Sequence, residues 1–115
     1  MWGLDKRARV FLALGATDMR RGINGLSLMV ETLIEGRVFS GDLFVFANRA
    51  QTTVKILYWA ESGFCLWQKR LERDRFFWPR DEEEVREIGR EELRWLLEGL
   101  DISQAHQRLQ YSVLT

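Results

Sequence analysis

The stretch KILYWAESGFCLWQKRLERDRFFWP, residues 55–79, decides the fold of this chain. Two apolar, aromatic-rich runs flank a Glu-Ser-Gly triplet at 61–63, which is a hairpin turn signal. A second tight turn, Glu-Arg-Asp, follows at 72–74, and a short apolar segment then ends at Pro79. The pattern predicts an antiparallel meander with strands over residues 54–59, 64–71 and 75–78.

The residues before this stretch predict a strand, a helix and a second strand. A short apolar run at 9–13 is broken by Gly15, and Thr17 or Asp18 offers a side-chain oxygen that can cap a helix. A helical apolar face follows, and Gly36 is a natural stop. The face consists of Ile23, Leu26, Val30 and Leu33. The next strand is predicted over residues 43–46, after the turn at 40–42.

The residues after Pro79 predict a short edge strand at 85–88 and a final helix from Gly89. The helix places Leu93, Leu96, Leu97 and Leu100 on one face. The fold class is therefore α+β, with a mostly antiparallel sheet in the order strand, helix, three- or four-strand meander, helix. We expect both helices to pack on one face. A single domain spans 1–102, and 103–115 forms a frayed tail.

The composition describes one small domain. The chain has 115 residues and a single cysteine, Cys65, so no disulfide can form within it. Such cysteine usage fits a reducing compartment, and we expect a cytoplasmic location. No run approaches the ~18 apolar residues of a membrane span, and no membrane contact is expected.

The net charge of zero conceals an asymmetry along the chain. Residues 1–80 carry 13 Lys and Arg against 8 Asp and Glu, whereas residues 81–115 carry 4 against 9. This distribution indicates a basic functional region over residues 1–80, followed by an acidic C-terminal segment. A solvated acidic helix face explains much of the negative charge in residues 81–115.

Four blocks of sequence, taken in order, resemble a known family. They are LGATDMRRGINGL, SGDLFVFANR, the 55–79 stretch and LRWLLEGLD. Together they are similar to the small accessory proteins, often called TnpB, of the bacterial insertion sequence sixty-six family, over about residues 9–101. The resemblance implies a protein encoded beside a separate transposase that supports transposition, and it implies no catalytic residues. The loop at 48–52 is less basic than is usual in that family, and the tail beyond residue 102 lies outside the resemblance.

The sequence offers little for catalysis, so we predict that the chain is not an enzyme and uses no cofactor or metal. Asp18, Asp42 and Glu61 each lie at a predicted strand end or turn, where acidic residues are common for local hydrogen bonding. A metal-dependent nuclease subunit would need such carboxylates to converge on divalent metal ions, and it is the least favoured hypothesis. His106 lacks a partner at ligand spacing, and Cys65 is interpreted as a small core residue.

Two arginines, Arg20 and Arg21, fall in the predicted first turn of the first helix. The helix dipole disfavours cations there, which suggests a phosphate at the helix start. Ion pairs with Asp18 or with a neighbouring strand are the simpler explanation, and both remain open. The Gly-Ile-Asn-Gly spacing at 22–25 is typical of a backbone-clamping loop, but close packing of a helix on the sheet explains it better.

The 55–79 stretch interleaves aromatic and basic side chains on both predicted faces of the ribbon. Because both faces cannot be left in water, one of them must meet a helix, a protein partner or nucleic-acid bases. We expect Tyr58, Phe64 and Leu66 in the core. The partly exposed contact surface is predicted to comprise Trp59, Trp67 and Trp78. The predicted phosphate contacts are Arg20, Arg21, Lys69, Arg70, Arg73 and Arg75.

The predicted function is that of a non-catalytic accessory protein of a transposable element, which binds the element's DNA, the transposase, or both. The alternative is a protein-interaction module, docked on the transposase or on a second copy of itself, with no direct contact to nucleic acid. The Trp and Arg residues are compatible with both hypotheses, because these residue types are enriched at protein interfaces and also contact nucleic acids.

Overall fold

In the computed structural model the described residues, 7–79 and 82–100, form a five-stranded sheet with two helices. The elements are β1 (Val10–Ala16), α1 (Ile23–Leu33), β2 (Leu43–Ala47), β3 (Thr53–Ala60), β4 (Gly63–Arg70), β5 (Val85–Ile88) and α2 (Arg90–Leu97). The tail predicted to fray, 103–115, lies outside the described residues.

The strands lie in the order β4-β3-β2-β1-β5. The β1–β2 pair is parallel, and the other three pairs are antiparallel. Parallel neighbours need a crossover, which α1 supplies between them. The prediction of an α+β fold with a mostly antiparallel sheet is confirmed, and the predicted edge strand at 85–88 is β5.

The two helices lie on opposite faces of the sheet, so the prediction that they share one face is wrong. Leu93 and Leu96 of α2 pack with alternate strand residues such as Leu12, on what we call the α2 face. Leu26 of α1 packs with Phe44 and others on the opposite side, the α1 face. The physical reason is that β1 and β2 are apolar on both sides, so each face of the sheet needs its own cover.

The segment at 75–78 is not a strand, contrary to the prediction. It packs on the α2 face, where Phe76 and Trp78 are buried while Phe77 between them is exposed. The main-chain N–H of Phe76 donates to the carbonyl of Gln51, at 2.7 Å, in the β2–β3 connection. The alternation of buried and exposed residues resembles a strand, but the segment crosses the sheet face instead of joining its edge.

Helix α1 begins later than the capping pattern predicts. Its N-cap is Gly22, without a side-chain cap, and Thr17 and Asp18 lie in the preceding loop. The carboxylate of Asp18 accepts the main-chain N–H of Arg20 at 2.9 Å, which forms a local turn. Arg20 and Arg21 therefore precede the helix, and the mismatch with the helix dipole does not arise.

Candidate interaction surface

Three aromatic rings cluster at the hairpin end of the β3–β4 ribbon, on the α1 face. Trp59 of β3 faces Phe64 of β4 across the strands, with ring centroids 5.0 Å apart. Phe39, from the connection between α1 and β2, lies 5.0 Å from Trp59 and 5.5 Å from Phe64. Phe39 is 63% exposed, and the other two are half-buried. We call Phe39, Trp59 and Phe64 the aromatic patch.

A group of arginines lies at the other end of the same ribbon. Arg70 faces Thr53, and the pair Gln68–Lys55 lies two positions along on the same face. The ammonium group of Lys55 donates to the main-chain carbonyl of Arg21 at 2.9 Å, which brings the β1–α1 loop to this end of the ribbon. We call Arg20, Arg21 and Arg70 the basic corner.

The basic corner is exposed, and two of its members already have acidic neighbours. Arg20 pairs with Asp18 at 2.7 Å, and Arg70 pairs with Glu72 at 3.1 Å. The side-chain hydrogen bond from Arg20 lowers the pKa of Asp18 to about 2. Exposed ion pairs of this kind contribute little to stability, so these guanidinium groups can exchange a carboxylate for a phosphate at small cost.

The aromatic patch and the basic corner are separated by the length of the ribbon. Trp59 lies six positions after Thr53 in β3, which corresponds to roughly 20 Å at the rise of an extended strand. The two features share the α1 face, because Thr53, Lys55, Leu57 and Trp59 point to one side of the sheet. A partner that lies along β4, where Gln68 and Arg70 are exposed, can contact both.

The other three predicted phosphate contacts lie elsewhere. Lys69 points to the α2 face and donates to the carbonyl of Leu97 at 2.9 Å, at the C-terminal end of α2. Its ammonium group thus satisfies a carbonyl of the last helical turn, where a cation is favoured. Arg73 and Arg75 are exposed and line a cleft of about 540 Å³ with Phe77 and Glu98. The structure therefore divides the six predicted basic residues among three places.

The three tryptophans predicted to be partly exposed differ in burial. Trp59 and Trp67 are half-buried, as predicted. Trp78 is only 8% exposed and belongs to the core on the α2 face, so the expectation of partial exposure is wrong for this residue. The reason is that the 75–78 segment folds across that face. The indole N–H of Trp78 is buried and has no hydrogen-bond partner among the described residues.

Tyr58, Phe64 and Leu66, predicted to be core residues, are half-buried. The reason is topological, because β4 is an edge strand and β3 beside it is covered only in part. Cys65 is also half-buried and faces Tyr58 across the two strands. Burial, together with the neighbouring Cys65 thiol, raises the pKa of Tyr58.

The three carboxylates considered for metal binding do not converge: two accept local hydrogen bonds and the third lies in a turn. Asp42 is buried at the start of β2 and accepts hydrogen bonds from the Arg9 main chain at 2.9 Å, from Ser40 at 2.8 Å and from the Arg37 guanidinium. Asp18 bonds Arg20, and Glu61 occupies the β3–β4 turn with φ of 57°. Within residues 7–79 and 82–100, no group of three or more His, Cys, Asp or Glu could hold a metal ion. His106 lies outside the described residues.

Sequence reasoning missed two residues of this surface. Phe39 directly precedes the Ser-Gly-Asp turn at 40–42, and an aromatic residue next to a turn was the available signal. Lys55 interrupts an apolar strand, is 8% exposed and holds the β1–α1 loop through Met19 and Arg21. A lysine inside a buried strand indicates a specific acceptor, because an unpaired buried ammonium group is costly.

No helix in the described part of the chain is long and apolar enough to cross a membrane.

Comparison with known proteins gives one family and two relatives. A family model described as IS66 Orf2-like protein matches residues 8–107, somewhat beyond the span in which the sequence blocks resemble that family. The uncharacterized protein y4hO of Sinorhizobium fredii (strain NBRC 101917 / NGR234) is 38% identical over 96 residues, which covers 84% of each chain. The uncharacterized protein y4jC of the same strain is 33% identical over 101 residues, covering 88% of this chain and 86% of that protein. No solved structure matches.

Proposed function

The chain belongs to the IS66 Orf2-like family of transposition-associated proteins, and on that premise we propose that it binds both the transposase and the DNA of its element. The family places it in an accessory role to a transposable element. In the proposal, the aromatic patch holds a segment of the transposase, and the basic corner contacts DNA phosphates. The protein contributes no catalytic group and acts in the cytoplasm, where transposase and DNA meet.

The observation that carries the proposal is the exposure of Phe39 on two other aromatic rings. A phenylalanine that is 63% exposed, on half-buried Trp59 and Phe64, forms a preorganised apolar surface. Aromatic side chains lose little conformational freedom on binding and are enriched at the energetic centres of protein interfaces. Arginines at the far end of the same face add the electrostatic attraction that phosphates require.

A protein-interaction role without DNA contact is the second candidate, and one observation favours it. Arg20 and Arg70 already pair with Asp18 and Glu72, so the basic corner is partly neutralised within the chain. In this alternative, the aromatic patch docks on the transposase and the arginines serve only local ion pairs.

The test for the transposase half uses a matched pair of exposed phenylalanines. We expect Phe39→Ala to weaken binding to the cognate transposase at least tenfold, measured by biolayer interferometry. Phe77→Ala removes an aromatic ring that is 55% exposed but lies outside the patch, and it should leave the affinity unchanged. Equal effects of the two substitutions would refute docking through the aromatic patch.

The test for the DNA half uses the salt dependence of binding to a duplex that carries the end of the element. Removing one phosphate contact with Arg21→Ala should reduce the slope of log affinity against log salt by about one. Arg86→Ala, on exposed β5 at the opposite sheet edge, serves as the charge-matched control. Absence of any binding at low salt, with transposase binding retained, would leave only the protein-interaction role.

A further inference from the structure

The two edges of the sheet differ in how they are protected against pairing. Edge strand β5 has four residues and carries Arg86 and Glu87 at its centre. Edge strand β4 has eight residues, pairs along its whole length with β3, and presents four successive apolar residues at 64–67. Short length and charge are devices that prevent edge-to-edge pairing, and β4 carries charge only at its end. In the described part of the chain, no strand pairs with the outer edge of β4.

The hairpin register shows which main-chain groups of β4 point outwards. Ala60 and Gly63 flank a two-residue turn, which makes them a hydrogen-bonded pair. Bonded and non-bonded pairs alternate along an antiparallel ladder, so Cys65, Trp67 and Lys69 bond to β3. The bond from Leu71 N–H to the Thr52 carbonyl, at 2.8 Å, continues the same alternation. The outward N–H and C=O groups therefore belong to Phe64, Leu66, Gln68 and Arg70.

We propose that two copies of this chain pair antiparallel through their β4 edges, forming a symmetric dimer with one continuous ten-stranded sheet. The charge pattern of the strand favours a second copy as the occupant. Glu61 lies at one end of β4, and Lys69 and Arg70 lie at the other. Antiparallel pairing sets the basic end of each copy beside the acidic turn of the other, and a two-fold axis repeats this complementarity.

The requirement that apolar faces stay aligned limits the register. Directly opposed residues must point to the same side of the sheet, and the outward-facing residues must bond to one another. A register centred on Cys65 satisfies both conditions and sets Phe64 beside Leu66 of the second copy. It also sets Trp67 over Gly63 of the second copy, where an indole ring has room. The two Cys65 residues then form a non-hydrogen-bonded pair, at a Cα separation of about 4.5 Å that lies within disulfide range.

This dimer goes beyond the proposed function. In the Cys65-centred register, Arg70 of each copy lies opposite Ala60 of the other, next to its aromatic patch. The dimer would thus join the basic corner of one copy to the aromatic patch of the second. The oligomeric state is measured without transposase or DNA, so its failure would leave the proposed function untouched.

The first test uses a proline that blocks the outer edge and spares the inner one. Gln68→Pro removes an N–H that β3 does not use, and proline is tolerated at edge positions of this kind. By sedimentation equilibrium we expect a wild-type dimer whose dissociation constant rises at least tenfold in Gln68→Pro and stays unchanged in Gln68→Ala. Circular dichroism confirms that each variant is folded. A wild-type monomer at all concentrations, or a dimer indifferent to folded Gln68→Pro, overturns the proposal.

The second test begins with the wild type alone. Amide hydrogen exchange of the wild type should show concentration-dependent protection at Phe64, Leu66 and Gln68, with Cys65 and Trp67 protected throughout. Protection of the outward amides in a monomer would show that another segment of the same chain covers the edge, and it overturns the proposal.

An added oxidant that takes two electrons from the paired thiols should cross-link wild type through Cys65, and Cys65→Ser should not cross-link. A dimer that resists this cross-link overturns the Cys65-centred register.

Discussion

The ammonium group of Lys55 lies 2.8 Å from the main-chain carbonyl oxygen of Met19, and this contact ties β3 to the loop that precedes α1. The same group donates to the carbonyl of Arg21 at 2.9 Å. The two contacts hold the loop at residues 19–21 against β3, and α1 begins after this loop, at Ile23. These contacts therefore account for the position of Arg20 and Arg21 beside the ribbon.

Replacement of Lys55 by methionine should destabilise the protein by about 1–3 kcal/mol. The chain keeps a similar unbranched side chain, but two carbonyls lose their donor in a largely buried site. The measurement is the free energy of unfolding in urea. Gln68→Met, on the exposed cross-strand neighbour of Lys55, is the control and should change stability by less than about 0.5 kcal/mol. Equal stabilities of the two variants would contradict the anchoring role.

The local sequence pattern is sufficient to predict those elements whose structure is determined by contacts between neighbours in the chain. The β3–β4 hairpin follows from alternating residues and a two-residue turn in which Glu61 adopts positive φ. The buried positions of α1, Leu26 and Val30, follow from helical spacing. Such elements are determined by residues that are neighbours in the chain, so the sequence predicts them directly.

Contacts between distant segments account for the errors. The position of the loop before α1 depends on Lys55, which lies more than thirty positions away in the chain. The burial of Trp78 depends on the path of 75–78 across the α2 face, which its alternating pattern does not encode. Likewise, the faces on which the helices lie depend on the parallel pairing of β1 and β2. For the candidate surface, strand alternation and position in the chain predict Trp59 and the arginines, whereas Phe39 is brought to Trp59 only by the tertiary fold.

The acid sensitivity of the protein should depend in part on Asp42. Burial raises its pKa, but hydrogen bonds from the Arg9 main chain, Arg37 and Ser40 outweigh burial and hold the pKa below its usual value. Because the pKa is lower in the folded than in the unfolded state, this carboxylate stabilises the fold above the unfolded pKa of about 3.9. The contribution is lost as the pH falls through the folded pKa.

Asp42→Asn should therefore cost about 2–3 kcal/mol near pH 7 and much less in acid. Urea unfolding at a series of pH values measures both stabilities, and the curves for wild type and variant should converge below the folded pKa. Glu35→Gln, on an exposed residue, is the control and should lower stability little at any pH. A difference between wild type and Asp42→Asn that persists unchanged in acid would contradict the assignment.

Lys69 and Arg21 should separate stability from DNA binding. Lys69→Met removes the donor to the carbonyl of Leu97, so we expect a loss of about 0.5–1.5 kcal/mol and no change in the salt slope of DNA binding. Arg21→Ala, at an exposed position, should leave the stability nearly unchanged and reduce the salt slope of DNA binding. Urea unfolding and fluorescence anisotropy measure the two properties on the same samples. A reduced salt slope in Lys69→Met would return this residue to the DNA contacts predicted from sequence.

The buried indole of Trp78 makes two opposing contributions to the free energy of unfolding, and substitutions at this position can separate them. Its N–H is buried and finds no partner within residues 7–79 and 82–100, and an unsatisfied donor of this kind costs about 1–3 kcal/mol. Trp78→Phe removes that donor but also removes buried atoms and leaves a small void, so the two effects nearly cancel. We expect stability within about 1 kcal/mol of wild type, against a loss of about 3–5 kcal/mol for Trp78→Ala, which removes the whole ring. Urea unfolding compares the three proteins, and a loss in Trp78→Phe as large as that in Trp78→Ala would contradict the expected cancellation.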